Sequence, residues 1–211
     1  MSEILLGTDR ASAALFTLGQ FWNPVPEPEL RPTKTLVWWR DNSLFVEAEL
    51  TDDDVFNTAT AHNQRTWETG DVFEIFARRE DSTEYVEVHV TPGNIKLHLK
   101  FLDFDQTNRI ESIDEVAADP GEIESSAEIT PTGWKASARV PLPASPGELV
   151  RVSLCRYDAS RGSEKLVLSS TSPHTELRFH QPCEWPLCRL ALTLQPPLSQ
   201  EPTASAREGE V

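Results

Sequence analysis

The stretch Ser43-Leu44-Phe45-Val46-Glu47-Ala48-Glu49-Leu50 decides the fold class. Successive side chains of a β-strand point to opposite faces, so Leu44, Val46, Ala48 and Leu50 share one face and Phe45, Glu47 and Glu49 the other. The same period recurs further along the chain. Ile95, Leu97, Leu99 and Phe101 oppose Lys96, His98 and Lys100, and Trp134, Ala136, Ala138 and Val140 repeat the pattern. Runs near Lys34 to Arg40, Val72 to Ala77, Tyr85 to Val90, Leu149 to Tyr157 and Arg189 to Leu194 add further strands, separated by loops rich in Pro, Gly, Asp and Ser. No window carries an apolar stripe at helical spacing, so helix is expected only in short turns such as Ile113 to Ala117. The expected fold is all-β: a two-sheet antiparallel β-sandwich of at least eight strands, jelly-roll-like.

A chain of 211 residues suits one such domain, and 38% hydrophobic with 25% charged residues is a globular composition. After Leu194 the composition shifts to Pro, Ser, Glu, Ala and Thr. The domain is therefore drawn over 1–195, with a disordered tail over 196–211. The 34 acidic against 19 basic side chains leave a charge of −15, which repels phosphate backbones and anionic lipid. Nucleic acid and membrane are accordingly not expected as partners. Met1 to Arg10 shows no basic start followed by an apolar run, which points to a cytoplasmic protein, or an extracellular one if a leader precedes it. Three cysteines read as thiols rather than a disulfide framework.

Four stretches in order resemble the family 9 carbohydrate-binding modules and the wider DOMON-like group. They are Trp39 to Val46 running into Leu50-Thr51-Asp52-Asp53-Asp54; Trp67-Glu68-Thr69-Gly70-Asp71-Val72-Phe73-Glu74-Ile75-Phe76; Tyr85-Val86-Glu87-Val88-His89-Val90-Thr91-Pro92; and Val152 to Tyr157 with Arg178-Phe179-His180-Gln181-Pro182. The resemblance spans residues 10 to 195. It implies a jelly-roll-like sandwich, binding of a small saccharide or a polysaccharide end, and structural calcium.

A sugar presents an apolar C–H face and a rim of hydroxyls, which calls for an aromatic platform flanked by carboxylate or guanidinium groups. By resemblance Trp67 is the platform and Glu74 a hydroxyl-binding acid, the alternative being a core tryptophan beside a solvated glutamate. A second aromatic would close over the sugar, supplied by Tyr157 or Trp185. Arg156 continues the parity of Val150, Val152 and Leu154, so it points inward and needs a partner: Glu74, Glu87 or a ligand hydroxyl. Asp52, Asp53 and Asp54 offer oxygen ligands for calcium, or form a solvated acidic turn. His180, Cys183, Cys188 and Cys155 match no common zinc spacing. Some DOMON-like domains bind haem through methionine, but Met1 stands alone, so no haem is expected. No nucleophile elbow, phosphate-binding glycine loop or His-Glu-x-x-His occurs. The chain reads as a non-catalytic binding domain, with a scaffold that meets a protein partner as the alternative.

Overall fold

The structure, a computed structural model, describes residues 3–192, so the tail assigned to 196–211 lies outside the described residues. Twelve strands form two sheets: β1 (Ile4–Leu6), β2 (Ala14–Thr17), β3 (Thr33–Arg40), β4 (Ser43–Thr51), β5 (Val72–Arg79), β6 (Tyr85–Val90), β7 (Lys96–Phe101), β8 (Glu124–Thr130), β9 (Gly133–Pro141), β10 (Leu149–Asp158), β11 (Val167–Ser170) and β12 (Leu187–Leu190). The larger sheet runs β1-β12-β10-β5-β6-β7 with β11 also paired to β10, and the smaller runs β2-β3-β4-β9-β8. Helix among the described residues is confined to five 3-10 turns, one of them at Ile113–Glu115. None is long and apolar enough to cross a membrane. The sandwich is antiparallel except at one edge, where β1 lies parallel to β12.

The alternation read in the sequence is the core face. Leu44, Val46, Ala48 and Leu50 of β4 stand beside Val140, Ala138, Ala136 and Trp134 of β9. Against them the larger sheet presents Phe73, Ile75, Val88, Val90, Val150, Val152 and Leu154, all buried between the sheets. The larger sheet is also covered on its other side. Phe76, Tyr85, Leu97, Leu99, Phe101 and Cys155 project outward and pack with Phe179 and Trp185 from the loop before β12. This double burial explains why every residue of Val72 to Ala77 is buried although the stretch contains an acid.

Four strands escaped the sequence reading. β8 is an edge strand whose residues are all exposed or half-buried, so its alternation carries no hydrophobic signal. β1, β2 and β11 have only three or four residues each. The last described strand is Leu187–Leu190 where Arg189 to Leu194 was expected, and 193–194 of that expectation lie outside the described residues.

The β8–β9 turn places Gly133 at φ +145, and a Cβ there would lie 1.9 Å from the Leu50 carbonyl oxygen. That contact is with backbone and cannot be relieved by a rotamer change. Gly133→Ala is therefore expected to cost at least about 2 kcal/mol, read as a lower urea midpoint at unchanged m-value.

Candidate functional site

The outer face of the larger sheet carries two buried carboxylates and a buried imidazole among its aromatics: Glu74 on β5 and Glu87 and His89 on β6. The register sets Glu74 beside His89, and the period of two puts Glu87 on the same face. His89 Nε2 lies 2.7 Å from Glu74 Oε1 and 2.8 Å from Glu87 Oε1, while its Nδ1 lies 2.8 Å from the Thr66 hydroxyl. His180, from the turn after Phe179, brings Nε2 to 3.3 Å from Glu87 Oε2 and is held at Nδ1 by the Tyr85 hydroxyl at 2.8 Å. Glu74 Oε2 and Glu87 Oε2 are buried and make no hydrogen bond.

These groups form the floor of a pocket of about 290 Å³. Trp67 stands at its side, half-buried, with Thr107, Ile110, Ile113 and Tyr157 completing the walls. The 3-10 turn Thr66–Glu68 fixes Trp67, because buried Thr66 is anchored through its hydroxyl to His89 and through its carbonyl to the Asn57 side chain at 2.9 Å. The Trp67 ring meets His89 edge-on at 5.7 Å. A second hollow of about 400 Å³ shares Thr107, Tyr157 and His180 and adds Phe104, Arg178 and Phe179, so the two form one groove. A larger hollow of about 480 Å³ near Ala77, Tyr85 and Pro141 offers no buried carboxylate and no tryptophan.

Trp67, Glu74, Glu87 and Tyr157 thus meet as expected, but Trp185 and Arg156 do not join them. Trp185 is 0% exposed, packs 5.1 Å from Phe76 and donates its indole N–H to the Phe179 carbonyl at 2.8 Å. It supports the groove from beneath and cannot touch a ligand. Arg156 pairs in register with Phe73, whereas Cys155 pairs with Glu74, so Arg156 leaves the sheet on the opposite face. Its partners are neither Glu74 nor Glu87. Its Nη2 contacts Asp52 at 3.0 Å and Asp158 at 3.1 Å, at the end of the core between the sheets.

The acidic run Asp52, Asp53 and Asp54 does not fit a calcium site, because each carboxylate already faces a guanidinium. Asp52 meets Arg156 and Arg31, Asp53 meets Arg31 at 2.5 Å, and Asp54 meets Arg161. Calcium needs six to eight oxygens around one point, and these three side chains serve three different arginines. The cysteines do not share a metal with His180 either: Cys155 packs on the outer face of the larger sheet and Cys188 in the core between the sheets. Sequence reasoning missed the central role of His89, although its parity with Tyr85 and Glu87 was visible. Thr107, Ile110 and Ile113 come from a loop with no motif.

Burial alone would lower the His89 pKa, but the Glu74 and Glu87 carboxylates outweigh it and raise it to about 9. Burial, reinforced by Glu87, raises Glu74. Burial likewise pushes Glu87 up, yet the imidazoles of His180 and His89 leave it lowered. Elsewhere, burial raises Asp71 to about 7 against its hydrogen bonds from Phe56 and Ala159. For His89 the folded value exceeds the unfolded 6.5, so the folded state holds the extra proton and its contribution is full below pH 6.5 and lost through pH 9. Glu74 and Asp71 act with the same sign, their raised values making the folded state hold protons longer. Chelator-treated protein is expected to melt several degrees lower at pH 9 than at pH 6.5. The measurement is a pH series of thermal unfolding, and His89→Gln should flatten it.

No protein-family model matches the sequence, and no curated protein matches it either. Solved structures do match in shape. Around 90% of the chain overlays all of a protein from Bacteroides uniformis to which carbohydrate binding has been attributed, at TM-score 0.69 and 13% identity. A family 9 carbohydrate-binding module from Caldicellulosiruptor kristjanssonii in complex with cellotriose aligns over 99% of this chain and 100% of its own, at TM-score 0.64 and 15% identity. The module from that organism in complex with glucose aligns over 92% and 98%, at TM-score 0.67 and 13% identity. The class of fold is the β-sandwich that these structures share. Within it, the fold of this chain is that of the family 9 modules.

Proposed function

We propose that the chain is a non-catalytic carbohydrate-binding domain that takes a small saccharide or a chain end in the groove beside Trp67. The carrying observation is the pairing of one half-buried tryptophan with two carboxylates, Glu74 and Glu87, at the floor of the same groove. Carboxylates accept hydrogen bonds from sugar hydroxyls while the ring's C–H face lies on the indole. Tyr157 forms the facing wall, braced edge-on by Phe179 at 5.8 Å. The similar modules in complex with cellotriose and with glucose support the substrate class.

The test is calorimetric titration of chelator-treated protein with glucose, cellobiose and cellotriose, then a wider saccharide panel. Saturable one-to-one binding is the expected result. A flat response from folded protein across the panel overturns the proposal and favours a scaffold that meets a protein partner.

A further inference from the structure

We propose that Glu74, Glu87 and His89 form a site for a divalent transition-metal ion of the Zn²⁺ and Mn²⁺ class at the floor of the groove, with one coordination position open to the groove. It uses the two carboxylates that also floor the proposed saccharide groove, but it rests on the side-chain geometry and does not depend on saccharide binding.

His89 Nε2 and one oxygen from each glutamate lie within 4.8 Å of one another, all on buried side chains. At present one imidazole N–H is shared between the two carboxylates, at 2.7 and 2.8 Å. Tetrahedral ligands about 2.1 Å from an ion stand about 3.4 Å apart, so an ion in place of that proton needs Nε2 to move only about 0.6 Å further from each of the two oxygens.

The surrounding contacts are those a metal centre uses. The Thr66 hydroxyl at 2.8 Å can accept from His89 Nδ1–H, which leaves Nε2 with its lone pair turned towards the carboxylates. His180 lies against the outer oxygen of Glu87 and is itself fixed by Tyr85. Glu74 Oε2 is buried without a hydrogen-bond partner, so this side chain has an acceptor left unused. The contrast with the other buried acidic group is informative. Asp52, Asp71 and Asp158 also converge, but around the Arg156 guanidinium, which cannot give up a proton to an incoming ion, whereas the His89 imidazole can. An imidazole with two carboxylates and no thiolate selects zinc or manganese over calcium and magnesium, which prefer oxygen alone.

The experiment titrates the full chain, stripped with chelator, with Zn²⁺ by calorimetry and with Co²⁺ by absorbance. The wild type should bind one Zn²⁺, Glu74→Gln should weaken this at least tenfold, and His89→Gln should abolish it. His62→Ala combined with Cys183→Ser, both on exposed residues, should leave it unchanged. The Co²⁺ complex of the wild type should show ligand-field bands without a thiolate charge-transfer band. That spectrum decides the matter even if a variant fails to fold. A thiolate band, the absence of stoichiometric binding, or unchanged affinity in folded Glu74→Gln overturns the proposal. Saccharide titrations run in chelator read the other proposal separately.

Discussion

Trp67→Ala is expected to lower saccharide affinity at least about thirtyfold in a protein that still folds. Truncating a central aromatic anchor costs about 2 kcal/mol or more, and each 1.4 kcal/mol is about tenfold in affinity. The indole is half-buried at the margin of the outer-face cluster, outside the core between the sheets, so its loss should lower stability without preventing folding. Its turn is also fixed independently, through Thr66 and Asn57, which means the platform is in place before a ligand arrives. Trp67→Phe keeps a flat apolar ring and should recover part of the affinity. Calorimetry of the three proteins, each checked for folding, makes the comparison. If Trp67→Ala binds as well as wild type, the saccharide lies further along the groove, against Tyr157 and Phe179.

The sandwich was legible because burial on one face forces a period of two, and Leu44 to Leu50 and Trp134 to Val140 carry that period without interruption. Parity also placed Arg156 inward. Parity does not reveal strand register, however, and register puts Arg156 beside Phe73 and its acids 104 residues away at Asp52 and two away at Asp158. The same limit hid the fate of Trp185. A tryptophan in a loop reads equally well as a platform or as a cover, and only the aromatics projecting from β5 and β6 make it a cover. Glu74 came from the resemblance, and Glu87 from its parity as a candidate partner for Arg156. His89 stands in the same strand as Glu87, but a histidine among β-branched residues carries no sign that it will join two carboxylates. What the sequence does carry is the incompatibility of acids with a double-sided apolar sheet, and that incompatibility marks the site.

Arg156→Met is expected to destabilise the protein by about 3 to 5 kcal/mol, the range for removing one partner of a buried ion pair. Arg156 is 1% exposed and its Nη2 lies between Asp52 and Asp158, themselves 4% and 5% exposed. Asp71, 0% exposed, stands with them. Without the guanidinium, three carboxylates face one another in a site with little water, and Arg31 reaches only the edge of the group, at 3.4 Å from Asp52 and 3.8 Å from Asp158. Burial already raises Asp158 to about 6 despite Arg156, so its removal should raise that value further and make the loss depend on pH. The variant should therefore recover part of its stability on acidification from pH 7.5 to 5.5, as the freed carboxylates take up protons. Arg156→Met combined with Asp158→Asn removes one stranded charge and should lose less than the single variant. Urea unfolding at the two pH values, with all three proteins, separates this from simple loss of packing. A packing defect alone would cost the same at both values and would not be eased by the second substitution.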